Sequence, residues 1–345
     1  MEYFTMKRIL IATAIAAATF TTASHACTSI AWNTDFGTLT TRTNDWVEAT
    51  SPILGTIKAG TVRFTHGVEG QGAIYKTQYN ILAILAYDGL VHDGVNSEGM
   101  QVNTLYYAPM TMKDSGSKTI SQLAFGEFLI ANYATVEEVV QNIATIKTEL
   151  ASHPLIPNAP TFHWSLTDKS GDRLVIEHDE DGISIYRGDD AMVMTNQPSQ
   201  QTHLDAWSTA SGKISKTWSE ADFGSTGNTN PRDRFLHASY FSEQLTQPSS
   251  SVNGMMKLAT TAFRIPHDAA NREVNGVMAG YATEWSLTQN LDTGEAVWEY
   301  LWGDTWTNVK FNFYDILKSN KDIRFKMDDP KLAGNITQKI IASGR

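Results

Sequence analysis

Hydrophobic and polar residues alternate over short intervals through most of this chain, and the period changes to that of a helix in only a few places. Residues 81–87 form an unbroken apolar run of strand length. Residues 162–167, 173–177 and 183–187 read as short strands. The turns between them, Asp168-Lys169-Ser170-Gly171 and Asp179-Glu180-Asp181-Gly182, carry hairpin chemistry. Residues 284–291 and 296–302 form a further hairpin around Asp292-Thr293-Gly294, and Asn96 and Gly99 shape another turn. The clearest helix starts at Thr135. Thr135 and Glu138 fit a capping box, and Val136, Val139, Val140, Ile143 and Ile146 recur at helical spacing. Residues 121–133 read as a second helix. Pro231 opens a third, since proline is tolerated at a helix start, and that helix carries Arg232, Arg234 and Phe235. A polar loop, residues 224–230, precedes it. No repeat, linker or low-complexity block divides residues 27–345, so they read as one domain of α+β type.

The first 26 residues have a different pattern. Lys7 and Arg8 are followed by an apolar run, residues 9–20, and then by Ser24-His25-Ala26. Positive start, apolar middle and small residues at −3 and −1 make a secretory signal peptide, removed between Ala26 and Cys27. The run is too short for a stable membrane anchor. Met6 is a more typical start than Met1. A soluble, exported protein is expected, periplasmic or secreted. Lipoproteins are also cut before a cysteine, but their processing box has Leu at −3, where this chain has Ser24.

Cutting there leaves 319 residues and a net charge of −11, because the leader holds one of the 37 acidic and two of the 27 basic residues. An acidic surface without basic runs argues against nucleic acid and anionic membranes as partners. The 41% hydrophobic content supplies a core.

The cut also makes Cys27, the chain's one cysteine, its first residue. With one cysteine there is no internal disulfide, and an exported chain that keeps a single thiol keeps it for chemistry. An N-terminal cysteine joins a nucleophile and a base in one residue. The thiol must lose its proton to attack, and the α-amine, with a reference pKa near 8, is the nearest base. Such a site also needs a carboxylate to position the amine, a cation to favour the thiolate and donors for an oxyanion.

Cys27-Thr28-Ser29-Ile30-Ala31-Trp32, Arg42-Thr43-Asn44-Asp45-Trp46, residues 93–100, Leu105-Tyr106-Tyr107, Thr195-Asn196-Gln197-Pro198 and Arg234-Phe235 occur in this order. Together they resemble the choloylglycine hydrolase family, which contains bile salt hydrolases and penicillin V acylases within the N-terminal nucleophile hydrolases. The resemblance is nearest to the exported Gram-negative branch. It implies a four-layer αββα sandwich and hydrolysis of a linear amide C–N bond through a thioester. It implies Cys27 as nucleophile, Asp45 holding the amine, and Arg42 near the thiolate. Asn196 and the backbone N–H at Tyr106 would be oxyanion donors, with Arg234 near the catalytic centre. The chain departs from the family in a shorter Cys27–Arg42 spacing and in having Asp233, where the family has Ser, before Arg234.

Trp46, next to Asp45, is expected at the substrate, while most of the nine tryptophans fill the core. An apolar acyl group on a small polar amine suits an aromatic-walled pocket. Penicillin V and N-acyl homoserine lactones are the expected substrates and conjugated bile salts the alternative. No metal or cofactor is called for, and homotetramers are implied by the resemblance. Ser115-Gly116-Ser117-Lys118 matches a Ser-x-x-Lys motif by chance, since no Lys-Thr-Gly follows. Neither His92-Asp93 nor His178-Asp179 has zinc spacing. The alternative of another class is an exported (lipo)protein that binds without catalysis, in which Cys27 tolerates alanine.

Overall fold

Every residue of the strand Ile81–Ala86 is buried, which explains its unbroken apolar run. Ile81, Ala83 and Leu85 join a cluster under the helices Phe125–Asn132 and Val136–Asn142. Leu82 and Ile84 face the other way, toward Trp285, Leu287, Trp298 and Phe311 of a second sheet. Side chains alternate along a strand, so a strand covered on both faces is apolar throughout.

The protein is described by a computed structural model over residues 27–345, apart from 66–71, 88, 114–115, 154–158, 212–228, 269–272, 275–276 and 279–280. The proposed leader, most of the polar loop 224–230 and Ser115 therefore lie outside the described residues.

One sheet has eight strands, in the order Gly182–Arg187, Arg173–Asp179, Phe162–Thr167, Gln101–Tyr106, Leu90–Asn96, Ile81–Ala86, Ile53–Ile57 and Arg324–Lys326. The other has seven, in the order Val193–Thr195, Thr28–Thr34, Gly37–Trp46, Ala282–Asn290, Glu295–Tyr300, Thr307–Asn312 and Gly334–Asn335. The helices Pro231–Glu243 and Ser251–Ala259 cover the outer face of the seven-stranded sheet through Phe235, Met255 and Leu258, packed on Ile30 and Leu39. The layers run helix, sheet, sheet, helix, the αββα arrangement expected. The short helices Phe313–Lys318 and Thr337–Ser343 pack Phe313, Ile316 and Ile340 onto the core between the sheets.

Thr135 caps its helix as expected. Its Oγ1 accepts the Glu138 N–H at 3.2 Å, a cap worth about 1 kcal/mol, while Glu138 Oε2 reaches one residue further back and accepts from Ala134 N at 2.7 Å. The second helix starts later than its sequence suggests, at Phe125 rather than Ser121. Ser121 instead lies in a two-residue strand paired with Thr148–Glu149. Gln122 exchanges two hydrogen bonds with the Ala151 backbone, at 2.7 and 2.8 Å. Those tertiary bonds hold the segment extended against its helical period. Pro231 does open a helix, capped by Asn230 through the Asp233 N–H. Among the described residues, no helix is long and apolar enough to cross a membrane.

Candidate active site

The strand Gly37–Trp46 organises the site. Residues 38–45 are all buried although Leu39 is their one apolar member. Leu39 packs outward under the Ser251–Ala259 helix. Alternation then points Arg42 and Asn44 inward between the sheets. Thr28 pairs with Thr43 and Ser29 with Arg42, so the same register sets Cys27 beside Asn44. Cys27 Sγ lies 4.0 Å from Asn44 Oδ1 and 3.8 Å from the Asp45 carbonyl oxygen. Burial pushes the thiol pKa up, and the Asp45 carboxylate adds to this. Arg42, the bond to the Asp45 backbone and Arg234 oppose it. The thiol therefore rests protonated, and a base must act before it can attack.

Arg42 is buried and multiply held. Its Nε meets Asp93 Oδ2 at 2.9 Å, Nη1 donates to Asn44 Oδ1 at 2.8 Å, and Nη2 donates to the Thr104 carbonyl at 3.0 Å. The guanidinium also stacks over the Trp285 ring, 4.4 Å from its centroid. Burial alone would raise the Asp93 pKa. Arg42, His92 and the Thr104 N–H outweigh it and hold the carboxyl below its ordinary value. The His92-Asp93 pair thus anchors Arg42. Among the described residues, no group of three or more His, Cys, Asp or Glu side chains is set to hold a metal ion.

Asn196 and Arg234 close on Cys27 from the other side. Cys27 N donates to Asn196 Oδ1 at 2.5 Å, and Arg234 Nη2 donates to the same oxygen at 3.1 Å. Arg234 Nη1 also donates to the Cys27 carbonyl and, at 2.9 Å, to Thr28 Oγ1. Two donors at Oδ1 fix the amide, so Nδ2 is turned to the Tyr106 carbonyl at 2.7 Å. An amide nitrogen carries two hydrogens, and that bond uses one. Tyr107 N bonds Thr161 O just beyond the end of the ladder, so the neighbouring Tyr106 presents its backbone polar groups to the opposite edge, where Asn196 sits. His203 Nε2 steadies this segment by donating to the Asn196 carbonyl at 2.8 Å.

Asp45 differs from its implied placement on the amine. Its carboxylate accepts from Thr283 Oγ1 at 2.5 Å and Thr43 Oγ1 at 3.3 Å, while Cys27 N turns to Asn196. That nitrogen is a peptide amide while Ala26 precedes it, and an uncharged N–H draws a carboxylate less than an ammonium would. Burial pushes the Asp45 carboxyl from 3.8 up to about 6, against Arg234, Thr283, Arg42 and Thr43. Between those values the folded chain holds a proton that the unfolded chain has released. Stability from this group is therefore greatest at low pH and falls as pH rises through that window, by about 3 kcal/mol for a shift of about two units. Asp45→Asn abolishes the titration. Its unfolding free energy in urea, minus that of the wild type, is expected to rise by about 2 kcal/mol between pH 4 and pH 7. A difference that stays flat with pH would contradict a buried, protonated Asp45.

Cys27 opens onto a pocket of about 340 Å³ whose apolar wall includes Trp46, Tyr87, Leu90, Val91, Leu123, Phe162 and Trp164. Trp46 Nε1 donates to Tyr87 Oη at 2.6 Å, and its ring stacks on Tyr281 at 6.4 Å. Asn44, beside the thiol, and Thr50, His92 and Thr104 supply polar lining. The motifs quoted from the sequence thus meet around Cys27, residues 93–100 through Asp93 alone, since Asn96 bonds the carbonyls of Ile130 and Tyr133 instead. Sequence reasoning gave no role to Asn44, Asp93, Thr283 or Glu284. Asn44 was visible inside the quoted motif, and the signal it offered was an almost wholly polar strand that is nonetheless buried.

The sequence profile of the linear amide C–N hydrolases, choloylglycine hydrolase family, matches residues 27–289. The chain belongs to the choloylglycine hydrolase family. It is 28% identical over 251 residues to a penicillin V acylase of Pectobacterium atrosepticum, a match covering 67% of this chain and 63% of that protein. The chain thus spans less than two thirds of that relative's length. A bile salt hydrolase/transferase of Clostridium perfringens is 28% identical over 118 residues, 32% of this chain and 35% of that one. In fold, the chain is similar to a penicillin V acylase from Agrobacterium tumefaciens, with a TM-score of 0.75 at 19% identity over 92% of this chain and 97% of that one. A conjugated bile acid hydrolase from Clostridium perfringens gives 0.66 at 18% identity, over 82% and 91%. The chain therefore shares its overall fold with both.

Proposed function

We propose that this chain hydrolyses a linear amide with an apolar acyl group, through a thioester on Cys27 freed by removal of residues 1–26 during export. The observation that carries the reading is a thiol on the polar wall of an otherwise apolar pocket, backed by Arg42 and flanked by Asn196. The free α-amine takes the thiol proton, and Sγ attacks the carbonyl carbon. Asn196 Nδ2–H and the Tyr106 N–H receive the oxyanion. The C–N bond then breaks as the ammonium returns its proton to the leaving amine. Water adds to the thioester, losing a proton to the amine. The acid departs, and the sulfur recovers its proton. Arg42 and Arg234, both close to the new N-terminus, favour the neutral amine over its ammonium form, as a base at neutral pH requires.

Substrates with a flat or linear apolar acyl group, such as penicillin V and N-acyl homoserine lactones, suit the aromatic wall. Similarity to the Pectobacterium acylase over twice the span shared with the bile salt hydrolase/transferase favours them over conjugated bile salts. The expected setting is the periplasm or exterior, with a homo-oligomer as the working form. The test is amine release by the purified mature protein from all three substrate classes. Bile salts alone being cleaved would reverse the preference. Release from none of them, with Cys27 freely alkylated, would move the reading to a binding protein.

Asn196→Ala is expected to lower kcat by about 10²- to 10³-fold with KM changed much less, the loss typical of one oxyanion donor. An equal loss in binding alone, with kcat intact, would exclude that role.

A further inference from the structure

We propose that Glu284 is a positioning residue for the thiol. It fixes the side-chain amide of Asn44 so that Oδ1 faces Cys27 and Arg42, and it couples that setting to the pocket wall at Thr50. The proposal rests on Cys27 being the nucleophile.

Glu284 is fully buried. It reaches its place through an irregularity in the sheet. Thr283 pairs with Asp45 and Trp285 with Asn44, so Glu284 is the extra residue of a bulge. Bulges re-aim side chains beside functional sites. Here the carboxylate is aimed at Asn44 and at the segment after Trp46. Oε2 accepts from Asn44 Nδ2 at 3.2 Å and from Thr50 Oγ1 at 2.8 Å, and Oε1 accepts from Thr50 N at 2.7 Å. Among the described residues, no cation meets it directly. A buried carboxylate held by neutral donors is costly, and burial pushes its pKa up to about 7 against the bonds from Thr50, Asn44 and Ser51. An apolar residue would serve the fold at less cost, which argues for a task at this position.

The task follows from the direction of an amide. Asn44 has one accepting end and one donating end. Arg42 donates to Oδ1, and Glu284 accepts from Nδ2. Both Glu284 oxygens accept, so Nδ2 must donate to Glu284 while Arg42 donates to Oδ1, which leaves a single orientation with Oδ1 facing Cys27 Sγ. Glutamine at 284 breaks this order. It must present a donor either to Asn44 Nδ2 or to the Thr50 donors. If Asn44 turns over to compensate, its N–H faces the Arg42 guanidinium. When Asn44 turns over, Arg42 keeps Asp93 and the Thr104 carbonyl but loses its bond to Oδ1, so the Nη1 end nearest the thiol is no longer fixed and the thiolate loses part of its stabilising charge.

The test measures the thiol without any substrate. In Glu284→Gln, alkylation of Cys27 by iodoacetamide at pH 7 is expected to slow by about threefold or more, and kcat to fall about tenfold. Glu284→Asp keeps two accepting oxygens and is expected to recover part of both. Because Glu284 acts through Asn44, adding Glu284→Gln to Asn44→Ala is expected to slow alkylation no further. Melting temperatures report folding, and if the Gln variant does not fold, Glu284→Asp with and without Asn44→Ala carries the same comparison. Wild-type alkylation in a folded Gln variant, equal losses for Gln and Asp, or additive losses with Asn44→Ala would each overturn the proposal. None of these would touch the role of Cys27 itself, which fails if Cys27→Ala or Cys27→Ser keeps its turnover.

Discussion

Cys27→Ala is expected to lower turnover by at least about four orders of magnitude, because no other residue of the site can form the thioester. The chain has no second cysteine, so no other thiol can take over. The fold should survive. Cys27 packs on Leu105, Val175, Ala191 and Met194, and removing one buried sulfur costs on the order of 1 kcal/mol by analogy with a methylene. Cys27→Ser separates the nucleophile from its packing. It keeps the shape but replaces the thiol with a hydroxyl that is far harder to deprotonate, in a site where burial already raises the thiol pKa. Its kcat is expected to fall severely while its melting temperature stays near that of the wild type. Near-normal rates for either variant would end the thioester mechanism.

How much of this could be read in advance depended on which force wrote the pattern. Strands covered on both faces or ended by glycine turns, such as Ile81–Ala86 and the pair Phe162–Thr167 and Arg173–Asp179, are legible because burial dictates their composition. The strand Gly37–Trp46 was invisible as core, since its threonines, arginine, asparagine and aspartate are buried by pairing rather than by apolarity. Thr41 Oγ1 with Thr288 Oγ1, at 2.7 Å, is one such pair. The helix expected from Ser121 forms only from Phe125 for a related reason, because Gln122 is engaged by the Ala151 backbone, a contact that local periodicity cannot contain. At the site, the motif residues were legible as motifs, but their wiring was not. Asp93 holding Arg42 and Glu284 holding Asn44 are partners far apart in sequence. The second also depends on a bulge, which shifts register without leaving a residue signature.

A chain that keeps residue 26 attached to Cys27 is expected to show no turnover. The argument is one of proton affinity. A free α-amine has a reference pKa near 8, whereas a peptide nitrogen has lost its basic lone pair to the amide. Since burial holds the thiol in its protonated form, a precursor has a nucleophile without a base. The Cys27 N–H still reaches Asn196 Oδ1, but it can only donate there. Replacing Ala26 by Phe removes the small residue that signal cleavage requires at −1, and intact mass identifies the uncut chain. Its turnover is expected to lie at least about 10³-fold below that of the mature form, beyond the usual loss for a missing general base. Inserting a protease site that ends immediately before Cys27 should restore activity on cutting, which separates a missing amine from a misfolded precursor. Full activity in the uncut chain would refute the amine as base. A lipid mass on Cys27 of the exported chain would remove both thiol and amine from catalysis and favour the binding-protein reading instead.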